Sequence, residues 1–122
     1  MNSMTPVKQF VTAAKVNDLS NGTMKSFRVN NRHILVAMVD GKYYAANNKC
    51  PHLGGNLSHG KLQGTVVSCP LHGSQFDLVD GRVIRWTFWT GFVARANQVF
   101  RPVRPLPVYP VKIDGDNILV GF

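Results

Sequence analysis

Residues 50–55 read Cys-Pro-His-Leu-Gly-Gly, and residues 69–77 read Cys-Pro-Leu-His-Gly-Ser-Gln-Phe-Asp. The two stretches contain both cysteines of the chain and two of its four histidines. Proline after each cysteine and glycine a few residues later are typical of tight loops. The separation between the two stretches is short enough for both loops to converge on one site.

Two thiolates and two imidazoles, supplied as two Cys–His pairs, suit an iron–sulfur centre in which the cysteines hold one iron and the histidines the other. The same side chains could instead hold zinc in a structural or nucleic-acid-binding module. Zinc modules group Cys with Cys and His with His, so the alternating order here favours the iron–sulfur centre. A disulfide is disfavoured because the N-terminal residues lack a signal-peptide core. The predicted metal ligands are Cys50, His52, Cys69 and His72.

The composition indicates one all-β domain. At 122 residues the chain is long enough for a modest core, and we place that domain at residues 1–122. The chain has no glutamate, whereas Val, Gly, Asn and Thr are abundant. Helices usually recruit Glu, Lys, Leu and Ala, so this balance favours strands. No apolar run is long enough to span a membrane, and we expect a cytoplasmic location.

The net charge of +8 is unevenly distributed. Between Asp80 and Asp114 there are six basic residues and no acidic one. Such a surface attracts acidic proteins, nucleic acid or anionic membranes. Two interpretations stay open for this stretch, a solvated basic face and a docking surface for an acidic redox partner.

Turn signals recur at short spacing, where Asn or Asp precedes Gly at residues 21–22, 40–41, 80–81 and 114–115. These dipeptides favour tight hairpins because both residue types tolerate positive φ. Apolar and β-branched runs lie between them, and no stretch has a convincing 3.6-residue period. Strands are predicted near residues 9–14, 24–29, 33–39, 42–46, 65–68, 74–77, 82–85, 107–113 and 117–121. Short strands joined by hairpins predict a sandwich or small barrel.

The two cysteine stretches resemble the Rieske family, and the flanking segments 8–48 and 102–122 are similar to strands of small soluble Rieske ferredoxins that serve oxygenases. Residues 85–101 look like an insertion relative to those proteins. The resemblance implies an antiparallel base formed by residues 1–46 and 80–122, with a cluster-binding subdomain at about 47–79. It also implies one Rieske-type 2Fe-2S cluster held by the four predicted ligands.

The resemblance further implies which residues surround the cluster. Glycines would let the backbone approach it, and prolines would stiffen the loops. The ring nitrogens of His52 and His72 that do not bind iron are implied to reach solvent. Besides the four ligands, the residues implied to surround the cluster are Leu53, Gly54, Gly55, Leu71, Gly73, Ser74 and Phe76.

Two departures from high-potential members of the family bear on the reduction potential. Those members have a disulfide at the positions of Gly55 and Leu71, which this chain cannot form. They also hydrogen-bond the cluster sulfurs through a Ser, matched here by Ser74, and a Tyr, replaced here by Phe76. Hydrogen bonds to sulfur stabilise the reduced state and raise the potential. We therefore predict a lower-potential centre, raised slightly by Ser74.

The resemblance implies a one-electron carrier that passes electrons from a reductase to a terminal oxygenase, and not an enzyme in its own right. The chain has no recognisable nucleotide-binding fingerprint, and only His33 and His59 remain for a mononuclear iron site. An alternative is a Rieske small subunit of a larger oxidoreductase, such as a nitrite reductase. No nucleic-acid partner is predicted.

Two further segments are open to interpretation. The stretch 85–101 holds both tryptophans, and it could be an additional hairpin on the base, a partner surface, a subunit interface or a contact with a membrane surface. The proline-rich run 101–107 resembles the rigid loop that covers the cluster in Rieske domains, although a proline-rich recognition segment is the other interpretation. His33 and His59 are predicted to be structural or exposed residues.

Overall fold

The computed structural model describes residues 9–52, 54–71, 73–86 and 103–122. Within these ranges the chain forms β-strands and two short 3₁₀ turns, and it contains no α-helix. This confirms the prediction of an all-β protein. The strands are β1 (Phe10–Lys15), β2 (Thr23–Val29), β3 (Arg32–Val39), β4 (Lys42–Asn47), β5 (Lys61–Gln63), β6 (Val66–Ser68), β7 (Gln75–Asp77), β8 (Val83–Arg85), β9 (Val108–Tyr109), β10 (Val111–Asp114) and β11 (Asn117–Gly121).

The strands form three antiparallel sheets. An outer sheet has the order β1-β11-β10, a middle sheet β2-β3-β4-β9, and a third sheet β5-β6-β7-β8. The outer sheet joins the two ends of the chain, since Phe10 pairs with Gly121. The middle sheet is built from two consecutive hairpins, with Val29 opposite Arg32 and Val39 opposite Lys42.

The middle sheet is covered on both faces. Ile34 and Val36 pack in one core with Ile118 and Val120 of the outer sheet. Leu35 and Ala37, which point the other way, pack in a second core with side chains of the third sheet. Alternate residues of a strand face opposite sides, so a strand buried on both sides needs an unbroken apolar run. The run from Ile34 to Val39 in the sequence is therefore explained by the three-layer arrangement.

Most predicted strands are confirmed with shifts of one or two residues at their ends. Two differences have a physical cause. Pro110 has no N–H for pairing, so the single strand predicted at 107–113 is divided into β9 and β10. The short β5 was not predicted because only one apolar residue, Leu62, lies within it.

The turn predictions are confirmed at residues 21–22 and 40–41, and the turn predicted at 114–115 lies one residue later, at 115–116. The glycines of these three turns have φ between 59° and 80°. Gly81 follows a turn and has φ 81°. A further hairpin turn at Asn30 and Asn31, with φ of 49° and 62°, joins β2 to β3. Asparagine tolerates this left-handed conformation better than most residues, so the pair could have been included among the turn signals.

The division into base and cluster-binding subdomain stays a prediction. The third sheet runs from Lys61 to Arg85, so its last strand lies beyond residue 79, where the predicted subdomain ends. Within the four described ranges, the structure has no helix of the length and apolar character needed to cross a membrane.

Candidate functional site: two cysteine loops

The first cysteine loop, residues 50–55, leaves the end of β4 and turns back on itself. The Cys50 N–H donates to the Gly55 carbonyl at 2.8 Å, and the Gly54 N–H donates to the Cys50 carbonyl at 2.8 Å. Gly54 has φ 77°, a conformation that costs other residues about 1–2 kcal/mol. The glycine predicted from the sequence is therefore required by the backbone of the loop.

A buried asparagine fastens the approach to this loop. The Asn48 N–H donates to the His33 carbonyl at 3.0 Å, and the Asn48 carbonyl accepts from the Leu57 N–H at 2.9 Å. The side-chain Oδ1 of Asn48 accepts from the Ser58 N–H at 2.9 Å. Asn48 thus ties the start of the loop both to β3 and to the 3₁₀ turn Leu57–His59. Sequence reasoning missed this residue, because no local pattern distinguishes a buried Asn from a turn Asn.

The second cysteine loop, residues 69–74, connects β6 to β7. The Cys69 N–H donates to the Ser74 carbonyl at 2.7 Å. Gly73 has φ 70°. At the base of the loop Ser68 pairs with Gln75, whose Nε2 donates to Ser68 Oγ at 3.1 Å. The loop is therefore the tip of a hairpin.

The two loops meet at Gly55. A Cβ atom built at this glycine would lie 2.8 Å from Cys69 Sγ and 3.0 Å from Leu71 Cδ1, closer than a side chain tolerates. The Gly55 carbonyl also accepts a hydrogen bond from the Cys50 N–H, so this one residue contacts both cysteines. The contact of Gly55 with Leu71 also shows that these two positions lie side by side.

His52 lies beneath the indole of Trp86. The ring centroids are 4.8 Å apart with planes inclined at 55°. His52 Nδ1 lies 3.2 Å from Ser74 Oγ, and that hydroxyl also donates to the Trp86 carbonyl. Because β8 pairs with β7, with Arg85 opposite Gln75, the strand pairing itself brings Trp86 next to Ser74.

This packing corrects one expectation. The resemblance implied that a ring nitrogen of His52 reaches solvent, whereas His52 is only 1% exposed. The cause is the Trp86 indole, which covers the ring. A serine hydroxyl has a single proton, and the Trp86 carbonyl can only accept. The Ser74 proton is therefore directed to the Trp86 carbonyl.

Trp86 belongs to the core beside the two loops. It is 5% exposed and meets Phe76 edge to face, with centroids 6.4 Å apart and planes at 85°. Sequence reasoning left residue 86 in a segment of unknown role. The rest of the unusual aromatic stretch, residues 87–101, lies outside the described residues. One signal could have distinguished Trp86. It follows directly after the predicted strand 82–85, which pairs with the strand that leaves the second loop.

The described part of the proline-rich run lies against the first loop. Leu106 is buried in the same core as Phe76, and its N–H donates to the Gly81 carbonyl at 2.8 Å. A side chain at Gly81 would bring its Cβ to 2.0 Å from the Leu106 carbonyl, so this close approach needs glycine. Arg104 reaches the Pro51 carbonyl at 3.4 Å. These contacts favour the covering-loop interpretation for residues 103–107.

Four residues considered in the sequence analysis remain to be placed. Leu53 and His72 lie outside the described residues. His33 and His59 are exposed, in agreement with their predicted roles. Over the ranges that are described, no three His, Cys, Asp or Glu side chains converge on a single ion-sized point. A two-iron centre does not require this, because each iron takes only two protein ligands.

The described residues fit a 2Fe-2S cluster. Cys50 and Cys69 are both buried in the core beside the loops, and they come from two loops that touch at a glycine with no room for a side chain. A soft thiolate from each loop and an imidazole close to Cys50 are the donors that such a cluster takes. The residues that would hold it are the four predicted ligands, of which His72 is supplied by the sequence alone.

Comparison with known proteins identifies the family. The Rieske [2Fe-2S] domain model matches residues 9–109. The ferredoxin component of naphthalene 1,2-dioxygenase/salicylate 5-hydroxylase systems from Ralstonia sp is 26% identical over 113 residues, covering 93% of this chain and 95% of that protein. The ferredoxin component of biphenyl 2,3-dioxygenase from Rhodococcus jostii is 33% identical over 105 residues, covering 86% and 85%. The solved ferredoxin of carbazole 1,9a-dioxygenase from Nocardioides aromaticivorans superimposes with a TM-score of 0.72 at 28% identity, covering 91% and 95%.

The chain belongs to the Rieske [2Fe-2S] domain family. Its similarity to these proteins extends over nearly the whole length of each, so the resemblance to small oxygenase-associated ferredoxins is confirmed. The predicted cofactor, a Rieske-type 2Fe-2S cluster, is confirmed with it.

Proposed function

We propose that this protein is a one-electron carrier that takes electrons from a reductase and delivers them to a terminal oxygenase. The observation that carries the proposal is the contact of the two cysteine loops at Gly55, within a chain that matches dioxygenase ferredoxins over almost its full length. The protein is an electron-transfer component and not itself an enzyme.

Each loop supplies one thiolate and one imidazole. Cys50 and Cys69 would bind one iron, and His52 and His72 the other. The bound cluster supplies reversible one-electron chemistry. Two neutral imidazoles in place of two thiolates make the centre less negative, and a less negative centre accepts an electron more readily.

The other residues of the site hold the ligands and exclude water. The two loop closures keep each cysteine at a defined point of the backbone. Trp86 and Ser74 restrict the His52 ring from two sides. A ligand set restrained in this way needs little rearrangement when the electron arrives or leaves, which favours fast transfer.

The surroundings support a potential in the lower part of the Rieske range, which extends from about −150 to +300 mV. Gly55 and Leu71 lie side by side but have no thiols to join. Phe76 has no hydroxyl, and the Ser74 hydroxyl is directed to the Trp86 carbonyl. We expect a midpoint potential well below about +200 mV, measured by a redox titration followed by EPR. A reversible midpoint above that value would contradict this part of the proposal.

We place the protein in the cytoplasm. Thiols stay reduced in that compartment, as cluster assembly on Cys50 and Cys69 requires. A reductase there can draw on reduced nicotinamide, which this chain has no recognisable motif to bind.

The first experiment is a determination of iron, acid-labile sulfide and zinc in the purified protein, with an EPR spectrum after dithionite reduction. We expect about two irons and two sulfides per chain and a rhombic signal with average g below about 2, as a mixed Cys–His cluster requires. One zinc without sulfide, even after anaerobic reconstitution, would overturn the electron-transfer function. Stoichiometric copurification with a larger oxidoreductase would instead favour a permanent subunit over a diffusible carrier.

A further inference from the structure

We propose that the cluster end of this protein docks an acidic face of its electron-transfer partner, through a cationic rim formed by Lys49, Lys61, Arg85 and Arg104. The proposal rests on the proposed function, and it adds the charge of the partner surface and the residues that recognise it.

The rim lies around two clefts, one beside each cysteine loop. A cleft of about 560 Å³ beside the first loop is lined by Lys49 and Arg104 together with Cys50 and His52. A cleft of about 510 Å³ beside the second loop is lined by Lys61 and Arg85 together with Cys69. All four rim residues are exposed, and among the described residues no Asp or Glu lines either cleft.

Long stretches of the sequence around the two loops also contain no acidic residue. Residues 41–76, which include both loops, contain no Asp or Glu, and residues 81–113 contain none either. Residues 1–8 are likewise without acidic side chains. The residues that the structure does not describe can therefore add only positive or neutral side chains, wherever they lie.

The aspartates are engaged or lie elsewhere. Asp77 and Asp80, which follow the second loop, both pair with Arg82, at 3.0 and 3.5 Å. Asp40 lies in the turn before β4, and the first loop begins after the other end of that strand, six residues and about 20 Å away. The molecule is therefore polarised, with its excess positive charge around the cysteine loops.

Apolar side chains stand within the rim. Leu71 of the second loop is 53% exposed and lies over Gly55, where the loops meet. Val103, next to Arg104, is 48% exposed. A small apolar centre with a charged border is the usual anatomy of a protein-docking surface, and the charges mainly raise the association rate.

An acidic protein surface fits this end better than a lipid or nucleic acid. The charge surrounds the two cysteine loops, where close approach of a partner shortens the path of the electron. A transient protein complex of this kind exploits long-range attraction for fast encounter and stays weak enough to dissociate.

The experiment uses the cluster-loaded protein and two small oxidants of opposite charge, hexacyanoferrate(III) and tris(phenanthroline)cobalt(III). Stopped-flow kinetics give the second-order rate constant for oxidation of the reduced protein as a function of ionic strength. The test variant is the double substitution Lys49→Glu and Lys61→Glu. At about 0.1 M salt, charges beyond about 10 Å are largely screened, so the rate reports on charge near the cluster.

The control is the double substitution Lys25→Glu and Lys112→Glu, which changes the net charge by the same amount. Lys112 belongs to the outer sheet, and Lys25 lies on the face of β2 shared with Phe27, which packs in the core between the outer and middle sheets. Both are exposed, and neither lines either cleft. EPR spectra and iron content of both variants are compared first with the wild type, which separates this test from that of the proposed function.

We expect the wild type to react faster with the anionic oxidant as salt is lowered. At about 0.1 M salt, the rate of the cluster-end variant with the anionic oxidant should fall about five- to tenfold and its rate with the cationic oxidant should rise, whereas both rates of the control should stay within about twofold of the wild type. Equal effects of the two variants would show that only net charge matters and would overturn the proposal. Sedimentation with phosphatidylglycerol vesicles that the cluster-end substitutions abolish would assign the rim to a lipid surface, which also overturns it.

Discussion

The first and second cysteine loops share one backbone design but have different surroundings. In each, a Cys-Pro pair begins the loop, a glycine with positive φ lies four residues after the cysteine, and the cysteine N–H donates to the carbonyl five residues on. The first loop places His52 in the interior, whereas the second exposes Leu71. The same closure thus serves one inward-facing and one outward-facing loop.

The difference teaches that ligand position and ligand environment have separate origins. The position of each cysteine follows from a local backbone closure that a few residues determine. The environment follows from contacts across the fold, because Trp86 reaches His52 only through the pairing of β8 with β7. The first loop is suited to restrain its ligands, and the second offers an apolar surface to a partner.

The largest expected effect comes from replacing the cysteine that begins each loop. Cys50→Ser and Cys69→Ser should each remove the cluster, because an alkoxide is a poor replacement for a thiolate on iron. Iron and sulfide content should fall to near zero in both variants. His59→Ala, which changes an exposed histidine beside the second loop, should keep a full cluster. Retention of a normal cluster by either serine variant would contradict the predicted ligand set.

The contact between the loops gives the next test. In Gly55→Ala the new methyl group would lie 2.8 Å from Cys69 Sγ, so we expect the loops to separate and cluster content to fall severalfold. Gly64→Ala is the control, since its Cβ would meet nothing within 4 Å and its φ of 57° would add only about 1–2 kcal/mol of strain. A fully loaded Gly55→Ala protein would show that the loops do not meet as described.

The smallest expected effect on the cluster comes from changing Trp86, which covers His52 of the first loop. Trp86→Ala should lower the free energy of unfolding by roughly 3–5 kcal/mol and shift the EPR g values, because His52 loses the ring that covers it. Trp86→Phe should restore much of the free energy of unfolding and bring the g values back towards those of the wild type. The control Ile118→Ala lies in the opposite core and should destabilise the fold by about 2–5 kcal/mol without moving the g values. A spectrum insensitive to residue 86 would remove the proposed restraint on His52.

Much of the fold could be predicted because its signals are local. Strand positions and the turns at 21–22, 40–41 and 115–116, the last within one residue of its prediction, follow from short-range preferences of Asn, Asp and Gly and from β-branched runs. Gly54 and Gly73 were predicted to shape the loops, and both have the positive φ that makes glycine necessary. The division at Pro110 was also readable from the sequence, although it was not predicted.

Other features could not be predicted because they arise between distant residues. Asn48 looks like an ordinary turn residue until β3 and the 3₁₀ turn come together around it. The burial of His52 depends on Trp86, which lies in the segment that the sequence analysis interpreted as an insertion. No pattern within either cysteine loop contains that information.

The sequence by itself determined the family of this protein, the predicted donor atoms and their order along the chain, and the excess of positive charge. These are properties of residue identity and short spacing, which do not depend on how the chain packs. Only the tertiary structure decided that Gly55 is the point of contact of the loops, that Trp86 covers His52, and that the cations face the clefts beside both cysteines. Such contacts join residues far apart in the chain, and they exist only once the sheets have paired and the cores have closed.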